Sequence, residues 1–365
     1  MIIQAHSAII AGELVGNTWV EISGDIIRSV NSGVNPSPDQ IIDGVLIPGF
    51  VDIHCHGGGG KYFSALSPGE IHSVIETHRV HGTTSLLASL VSEPVELIKE
   101  QIVRLKPFFD SGQIAGIHLE GPYLAHARCG AHDPKLLLNP DLAEIKELLE
   151  LAEGAIQMIT IAPELPGAID AIKYLSAAGV TVALGHTDGA FVDAAAGTNA
   201  GATVVTHFMN AMDKSLSEGS FASFVVADER LTVEIILDGH HIPFSTARDI
   251  YTALGSRVIF ITDAMAAAGA TDGSYTIGKI PVEVKSGVAR ITTTNALAGS
   301  TLTMDAAFFN AVDSLGLSVK EAVAATSTRP AKRIGLKDRG EIKVGLRADL
   351  LSYNASNSSI TLISE

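Results

Sequence analysis

A (β/α)₈ TIM barrel of the α/β class, with a small β-sandwich domain formed by both termini, is the fold that this 365-residue sequence predicts. The middle of the chain alternates short apolar runs, rich in Val, Ile and Thr, with amphipathic helical stretches. The apolar runs lack the two-residue alternation of a half-exposed strand, which is typical of parallel strands buried on both faces. The two ends of the chain carry alternating patterns instead, and these predict a separate β domain.

Eight candidate strands make up the predicted barrel. They end near His56, Leu90, Glu120, Glu164, His186, His207, His241 and Asp263. One helix is predicted to begin after Ser67, because Ser67 can cap it, Pro68 suits its first turn and Glu70 completes a capping box. Further helices are predicted at about 93–109, 141–152, 168–178, 190–199 and 243–254. This repeated strand–helix alternation favours a closed parallel barrel, with a doubly wound open sheet as the alternative.

The domain division follows from the two ends of the chain. Residues 1–46 are predicted to form the first part of the small β domain. Residues 338–365 are predicted to form its second part, with strands at 340–345, 348–353 and 359–363. The barrel is assigned to residues 47–337. A β-rich segment at 273–296, with a turn at Gly287, is predicted to be an inserted hairpin that leans on the small domain.

Composition and charge limit the classes of function. Apolar residues make up 46% of the chain and charged residues 18%, so a sizeable core is expected and extensive disorder is not. The formal net charge is −15 and the Lys and Arg residues form no cluster, which argues against a nucleic-acid partner. The sequence shows no secretory signal and no stretch of the roughly 18 apolar residues that a membrane span needs. We therefore expect a cytoplasmic protein without a membrane partner, and the two cysteines, Cys55 and Cys129, exclude a disulfide framework.

Metal-type side chains recur at the predicted carboxyl ends of the strands, where barrel enzymes carry their chemistry. His54 and His56 are two residues apart, so an extended strand directs both imidazoles to one face. Four further strands end in such residues, which are Glu120, His186, His207 and Asp263. Imidazole and carboxylate ligands together suit Zn²⁺, Fe²⁺ or Mn²⁺. One such residue alone is more often structural than a ligand, but burying the whole set without a metal would be costly, so the set predicts a metal site.

Several sequence motifs resemble those of the amidohydrolase superfamily and, more narrowly, of the N-acetylglucosamine-6-phosphate deacetylases. They read PGFVDIHCH at 48–56, HLEGPY at 118–123, GHT at 185–187, THxxNAM at 206–212, DGxH at 238–241, TDA at 262–264 and LAGS at 297–300. The motifs span nearly the whole chain in the family's order. Many other amidohydrolases carry a carboxylated Lys on the fourth strand, but residues 158–164 contain no Lys. The resemblance therefore implies that Glu120 bridges the metals, unlike in dihydroorotase-like or hydantoinase-like enzymes.

The resemblance also implies a divalent-metal cofactor. It assigns one ion to Glu120, His186 and His207. It assigns a second ion, which some family members lack, to the same Glu120 together with His54, His56 and Asp263. Zinc is the expected metal, with Fe, Mn, Co and Cd as alternatives.

The implied reaction is hydrolysis of the acetamide of N-acetylglucosamine-6-phosphate to acetate and glucosamine-6-phosphate. Asp263 would be the catalytic residue. It would accept a proton from a water molecule whose pKa the metal lowers, and then pass that proton to the leaving amine. His132 or His186 would help to stabilise the oxyanion that develops on the acetyl carbonyl.

The family's substrate contacts carry over onto eight residues, which are Ala131, His132, Asn210, Ala211, His241, Leu297, Ala298 and Gly299. One feature departs from the family: an Arg that clamps the sugar phosphate usually follows THxxNAM, and Ser217 stands there instead. Lys214, Arg128 or a neighbouring subunit could supply the anion contact, and the resemblance implies a homodimer. The alternatives are a deacetylase of another N-acyl amino sugar, with or without a phosphate, a deacetylase of an N-acyl amino acid, and a non-catalytic barrel.

Overall fold

The sheet formed by the termini contains the first four strands of the chain. The computed structural model describes residues 1–65 and 67–363, so the last two residues of the predicted segment 338–365 lie outside the description. The strands are β1 (Ile2–Ile10), β2 (Glu13–Ser23), β3 (Ile26–Ser32) and β4 (Gln40–Pro48). β1 pairs antiparallel with β2 and parallel with β4. Ala11 and Gly12 connect β1 to β2 with positive φ at both positions, as a tight hairpin turn requires.

Eight parallel strands make up the barrel sheet. The barrel region contains β5 (Phe50–Cys55), a short hairpin of β6 (Gly57–Gly58) and β7 (Lys61–Tyr62), and then β8 (Thr83–Leu90), β9 (Gly116–Glu120), β10 (Ile156–Ile161), β11 (Thr181–Leu184), β12 (Val204–Val205), β13 (Thr232–Ile236) and β14 (Val258–Ile261). The strands pair in chain order from β5 and β8 through to β14. The predicted parallel barrel is confirmed, with seven predicted strand ends within three residues of an observed one and the eighth, His241, five residues beyond the end of β13.

Side-chain and backbone hydrogen bonds close the barrel between β5 and β14. The Asp263 backbone N–H donates to the His54 carbonyl oxygen at 2.8 Å. The buried Asp52 carboxylate accepts hydrogen bonds from the Thr262 hydroxyl at 2.5 Å and from the Thr262 backbone N–H at 3.3 Å. Burial raises the pKa of Asp52 to about 6, because these hydrogen bonds offset it only in part. The closure therefore brings the ends of the first and last barrel strands side by side.

Ten α-helices connect and cover the strands in the described part of the chain. They are α1 (Pro68–Val80), α2 (Val95–Asp110), α3 (Leu142–Ala152), α4 (Ala168–Ala177), α5 (Phe191–Ala200), α6 (Phe221–Ala227), α7 (Phe244–Leu254), α8 (Met304–Phe309), α9 (Val319–Val323) and α10 (Arg329–Arg333). Single turns of 3₁₀ helix lie at His126–Arg128, Pro134–Leu136 and Gly255–Arg257, and π-helical turns at Asn310–Ser314 and Ala324–Thr328. None of these helices has both the length and the apolar character needed to cross a bilayer.

The helices begin and end largely where local capping predicts. The Ser67 side chain accepts a hydrogen bond from the Glu70 N–H at the start of α1, with Pro68 in the first turn. The five other predicted helices agree with α2 to α5 and α7 to within two residues. The sequence interpretation did not single out α6 or the last three helices, which are short and interrupted by π-helical turns.

The remaining strands belong to two different sheets. They are β15 (Gly273–Ile277), β16 (Ile280–Lys285), β17 (Val288–Ile291), β18 (Leu350–Asn354) and β19 (Ser359–Leu362). β15 to β17 form an antiparallel sheet of their own, whereas β18 and β19 join β4 in the sheet of the termini. The termini thus meet in one six-stranded sheet, where the sequence suggested a sandwich.

Two sequence expectations about these segments need correction. The predicted strand at 340–345 is wrong, since Gly340 and Gly345 adopt φ of 85° and 87° at its two ends and turn the chain, leaving one isolated bridge between Ile342 and Ile10. The sheet of β15 to β17 packs against Tyr62, Val91 and other residues at the carboxyl end of the barrel, and not on the sheet of the termini. The inserted segment is therefore placed to shape the mouth of the barrel.

Apolar side chains fill both sides of the barrel strands. Val51, Ile53, Leu87 and Met158 are buried inside the barrel, and a larger apolar layer separates the strands from the helices. Every residue of β5, β9, β13 and β14 is buried. This burial on both faces is the physical reason that the strand sequences lack alternation.

Candidate metal centre and active site

A cavity of about 230 Å³ opens at the carboxyl ends of the barrel strands. Five of the predicted metal-site residues line it, which are His56, Glu120, His186, His207 and Asp263. The sixth, His54, lies directly beneath with no exposed surface. The structure therefore brings all six residues together, although they come from five different strands.

His54 and His56 form one group of ligand-type atoms with two carboxylates. Their Nε2 atoms are 3.1 Å apart. Oδ1 of Asp263 lies 3.5 Å from His54 Nε2 and 3.4 Å from His56 Nε2. Glu120 lies on the other side, with Oε1 3.5 Å from His54 Nε2 and Oε2 3.2 Å from His56 Nε2. Two ligands at about 2.1 Å from a tetrahedral ion are about 3.4 Å apart, so the separations among His54, His56 and Glu120 fit one small divalent ion, with Asp263 Oδ1 beside both imidazoles.

Glu120 also joins a second group of ligand-type atoms. The Nε2 atoms of His186 and His207 are 3.0 Å apart. Glu120 Oε1 lies 3.1 Å from His186 Nε2 and 3.0 Å from His207 Nε2. The same carboxylate therefore faces both histidine pairs, which is the arrangement expected of a bridging ligand.

Hydrogen bonds on the outer ring nitrogens define the orientation of two of these imidazoles. His186 Nδ1 lies 2.8 Å from the Arg128 carbonyl oxygen. Since a carbonyl only accepts, Nδ1 carries the hydrogen and Nε2 presents its lone pair to the cavity. His54 Nδ1 lies 3.1 Å from Glu234 Oε2, and the same reasoning applies to it. Lone pairs directed at the same point repel each other unless a cation lies between them, so the donor set fits a metal.

The charges of the buried groups favour the same interpretation. Burial alone would raise the pKa of Glu120, but the neighbouring His54 and His186 hold it well below its usual range. Burial likewise disfavours protonated His54, but the carboxylates of Glu120 and Asp263 outweigh it and raise the pKa of His54 well above its usual value. The cluster thus keeps the Glu120 carboxylate ionised and attracts positive charge.

Three of the six residues adopt a backbone conformation that is uncommon for residues other than glycine. The φ angles are 48° for His186, 26° for His207 and 48° for Asp263. Each of these conformations costs about 1–3 kcal/mol and persists only when the surroundings enforce it. The three residues follow different strands and meet at one cavity. Such clustering of strained residues indicates a functional site.

Most of the predicted substrate contacts surround the cavity. Its lining includes Ala131, His132, Asn210, Ala211, His241, Leu297 and Gly299. Ala298 is an exception to the prediction, because its side chain is fully buried in the apolar cluster beneath β15 to β17. Its backbone N–H donates to the Ala289 carbonyl oxygen at 3.2 Å, which ties this residue to the inserted sheet.

Two histidines of the substrate side have defined hydrogen-bond partners. The Ser92 backbone N–H donates to His132 Nδ1 at 3.2 Å, so Nε2 carries the hydrogen of the neutral ring, 3.2 Å from Glu120 Oε2. Burial lowers the pKa of His132 and keeps the ring neutral. His241 Nδ1 lies 2.8 Å from Asp238 Oδ2, which leaves Nε2 of His241 as its second polar atom.

Several cavity residues escaped the sequence interpretation. They are Tyr62, Val91, Gly130, Met265, Ile277 and Ala296. Four of them are aliphatic residues or methionine, which carry no chemical signal when they stand alone in a sequence. Ile277 reaches the cavity from the inserted sheet, and only the position of that sheet over the barrel shows its role.

The cavity lining contains no Lys or Arg within the part of the chain that the structure describes. Ser217 is exposed, and its hydroxyl lies 2.7 Å from that of Ser215. Lys214 is exposed in the same loop. The Arg128 guanidinium is paired with Asp188, at 2.8 Å between Nε and Oδ1. The cationic side chains considered from the sequence are therefore not among the cavity residues.

Comparisons with known proteins agree with this site. Residues 45–362 match the model of the amidohydrolase family. The chain is 31% identical over 339 residues to N-acetylgalactosamine-6-phosphate deacetylase of Escherichia coli O157:H7, with 90% of each chain covered. It is 31% identical over 320 residues to N-acetylglucosamine-6-phosphate deacetylase of Vibrio furnissii, with 86% of this chain and 80% of the other covered.

A solved structure resembles the whole chain. The crystal structure of N-acetyl-D-glucosamine-6-phosphate deacetylase from Mycobacterium smegmatis superposes with a TM-score of 0.94 at 39% identity, covering 100% of this chain and 97% of that one. The barrel and the terminal sheet thus have counterparts in a deacetylase structure. This chain belongs to the amidohydrolase family and, within it, to the N-acetylglucosamine-6-phosphate deacetylases.

Proposed function

We propose that this chain hydrolyses the acetamide of N-acetylglucosamine-6-phosphate to glucosamine-6-phosphate and acetate in a divalent-metal-dependent reaction. The observation that carries the proposal is the convergence of four imidazoles and two carboxylates on one cavity at the carboxyl end of a barrel. Relatives of that name, similar over most of the chain, support the choice of substrate.

Amidohydrolases generally depend on a divalent metal, and the two residue groups that share Glu120 are the candidate holders. One ion would be held by Glu120, His186 and His207, and a second by Glu120, His54, His56 and Asp263. A bound ion would supply Lewis acidity, which lowers the pKa of a water molecule and polarises an acyl oxygen. Zinc is the metal that we propose, because imidazole and carboxylate are ligands it prefers, and Fe, Mn, Co and Cd are the alternatives.

Asp263 is the general base of the proposed reaction. Its carboxylate lines the cavity, and Oδ1 lies within 3.5 Å of both imidazoles of the His54–His56 pair. From this position it can accept a proton from the water that attacks the acetyl carbon. It can then deliver that proton to the sugar nitrogen as the C–N bond breaks, which yields acetate and the free amine.

His132 is the side-chain donor that we propose for the oxyanion. Its Nε2 carries the hydrogen because Nδ1 already accepts from the Ser92 N–H. His186 is less suited to this role, because its hydrogen is on Nδ1, where it donates to the Arg128 carbonyl oxygen. A neutral donor fixed in place before the reaction stabilises developing negative charge without reorganising.

Polar groups on two loops are the proposed contacts for the sugar. The Asn210 side-chain amide donates to the carbonyl oxygens of His207 and Phe208 at 3.1 and 3.3 Å, so its Oδ1 is left to accept from a hydroxyl. His241, held by Asp238, offers its second ring nitrogen. Ala131, Ala211, Leu297 and Gly299 complete the proposed contacts and restrict the shape of the cavity.

A second candidate substrate is an N-acetyl amino sugar without the phosphate. The observation that favours it is the lack of Lys and Arg in the cavity lining of the described residues, since phosphate is usually bound by cationic donors. If the phosphorylated sugar is the substrate, a cation from outside the cavity lining, such as Lys214, Arg128 or a residue of a neighbouring subunit, would supply this contact. The E. coli relative, an N-acetylgalactosamine-6-phosphate deacetylase, adds the epimeric sugar as a further candidate.

Acetate release by metal-reconstituted protein tests these proposals. Three substrates are compared at equal concentration: N-acetylglucosamine-6-phosphate, N-acetylgalactosamine-6-phosphate and unphosphorylated N-acetylglucosamine. The main proposal expects the highest kcat/KM for N-acetylglucosamine-6-phosphate and loss of activity in a chelator-treated control. Equal kcat/KM with and without the phosphate contradicts phosphate recognition, and no release from any of the three contradicts the deacetylase assignment.

Three further predictions belong to this proposal. The chain is expected to act in the cytoplasm, to form a homodimer and to fold with domain boundaries near residues 46 and 338. Size-exclusion chromatography with light scattering measures the oligomeric state, and limited proteolysis measures the boundaries.

A further inference from the structure

Glu234, in the middle of β13, is a buried carboxylate that the proposed reaction does not use. Its exposed fraction is 0%. Oε2 lies 3.1 Å from His54 Nδ1 and 3.3 Å from the His207 backbone N. Oε1 has no hydrogen-bond partner among the described residues. Burying a carboxylate in such surroundings costs free energy unless a nearby positive charge balances its negative charge.

The outer ring nitrogens of the four candidate metal histidines have different surroundings. His54 Nδ1 faces the Glu234 carboxylate, whereas His186 Nδ1 faces a backbone carbonyl. Nδ1 of His56 and Nδ1 of His207 have no partner in the part of the chain described. Of the four rings, His54 is therefore the one with an acidic side chain behind it.

We propose that Glu234 is a positioning residue for a metal ion held by the His54–His56 pair. By accepting a hydrogen bond from His54 Nδ1–H, Glu234 fixes the ring so that Nε2 directs its lone pair at the ion. The negative charge of Glu234 also makes the imidazole a better donor to a cation. This inference rests on the proposed metal site but not on the proposed substrate.

The same carboxylate oxygen contacts the second ligand group in a different way. It accepts a hydrogen bond from the backbone N–H of His207, a residue whose φ of 26° needs support from its surroundings. The bond to His54 involves the ring that would bind the ion, whereas the bond to His207 involves only the peptide. Loss of Glu234 is therefore expected to weaken the His54–His56 site more than the His186–His207 site.

Metal binding by Glu234 variants tests this proposal without any substrate. Glu234→Gln keeps the shape of the side chain but removes its charge, and Glu234→Leu removes both acceptor oxygens. Thr160→Val is the matched control. Thr160 is equally buried inside the barrel, where its hydroxyl lies 2.9 Å from His118 Nε2 and 2.9 Å from the Thr206 hydroxyl, and neither of these two partners is a candidate metal ligand.

Zn²⁺ stoichiometry and affinity are measured by competition with a chelator of known affinity, and the folding of each apo variant by its Tm. The proposal expects two equivalents in the wild-type chain. In Glu234→Leu one equivalent should bind about 10–100-fold more weakly and the other nearly unchanged, with a smaller loss in Glu234→Gln. Thr160→Val should bind both equivalents like the wild type, even if its Tm falls.

Three results would overturn the proposal. The first is unchanged affinity for both equivalents in a folded Glu234 variant, which would make the residue merely structural. The second is an equal loss of affinity in Thr160→Val. The third is that the wild-type chain binds a single equivalent of Zn²⁺ and that replacing Glu234 does not change its affinity. If Glu234→Leu does not fold, the metal affinity of Glu234→Gln tests the proposal instead. A negative result in the deacetylase assay would not affect this test, because the test measures only metal binding.

Discussion

Replacement of Asp263 by Asn tests the assignment of the general base. Asn has nearly the same size as Asp, and the backbone bond from the residue 263 N–H to the His54 carbonyl oxygen does not involve the side chain. The change therefore removes the proton acceptor next to the His54–His56 pair with little change in shape. Loss of a general base costs about 10²–10⁴-fold in rate, which corresponds to about 2.7–5.4 kcal/mol. We expect kcat to fall by that factor and KM to change by less than about threefold.

The assay measures acetate release and metal content on the same preparations. Glu120, His186 and His207 remain in the variant, so at least one metal equivalent should be retained. Asp188→Asn is the control, because Asp188 is paired with Arg128 outside the cavity lining and its loss should leave kcat unchanged. A metal-loaded Asp263→Asn protein with near-wild-type kcat would refute the assignment of Asp263 as the base.

Three other predictions concern Gly130 beside the candidate metal site, removal of the metal, and the ion pair of His81 and Asp305. Gly130→Ala should lower metal affinity and kcat together, because Gly130 has a φ of 57° and an added Cβ would lie 2.9 Å from His186 Cε1; unchanged metal titration would contradict this. Chelator treatment should lower Tm and added Zn²⁺ should restore it, since a bound ion stabilises the native state; an equal Tm for both forms would argue against a native metal site. His81 and Asp305 are paired at 2.7 Å, which raises the pKa of His81 and lowers that of Asp305. The pair should stabilise the fold most at a pH between the ordinary pKa of Asp305, 3.8, and that of His81, 6.5. This stabilisation should be lost as the pH rises through the raised pKa of His81, and also as the pH falls through the lowered pKa of Asp305. The Tm difference between wild type and His81→Gln should then be larger at about pH 5.5 than at about pH 9, and a difference independent of pH would refute this account.

The residues of the candidate metal site could be predicted to lie together because their sequence signal is local. His54 and His56 share a face through the two-residue period of a strand, and Glu120 and Asp263 each follow an apolar run that ends at the same edge of a parallel barrel. Because the parallel strands close into a barrel, the side chains at their carboxyl ends lie close together. No long-range information beyond the number of strands was needed.

The rest of the site depends on contacts that a sequence pattern does not contain. Glu234 stands inside an apolar run and is predicted only as part of a strand, and its proposed role rests on its contact with the ring of His54, which ends a strand separated from β13 only by β14. The LAGS motif predicts Ala298 as a substrate contact together with Leu297 and Gly299, but only those two neighbours line the cavity, and the Ala298 side chain packs in the cluster under the inserted sheet. The strand predicted at 340–345 is wrong because the alternating residues between Gly340 and Gly345 are typical of a strand, whereas both glycines adopt positive φ and turn the chain.

The closure of the barrel also bears on how the protein is made in the cell. The ribosome delivers the chain from the N-terminus, so His54 emerges long before Asp263, the residue that lies beside it in the finished fold. The earlier strands can present some ligands, but the full set exists only after the last strand has docked on the first. A chain released early, before residue 263, therefore lacks the proposed base and one flank of the His54–His56 site. Completion of synthesis thus controls when the proposed hydrolytic centre first exists.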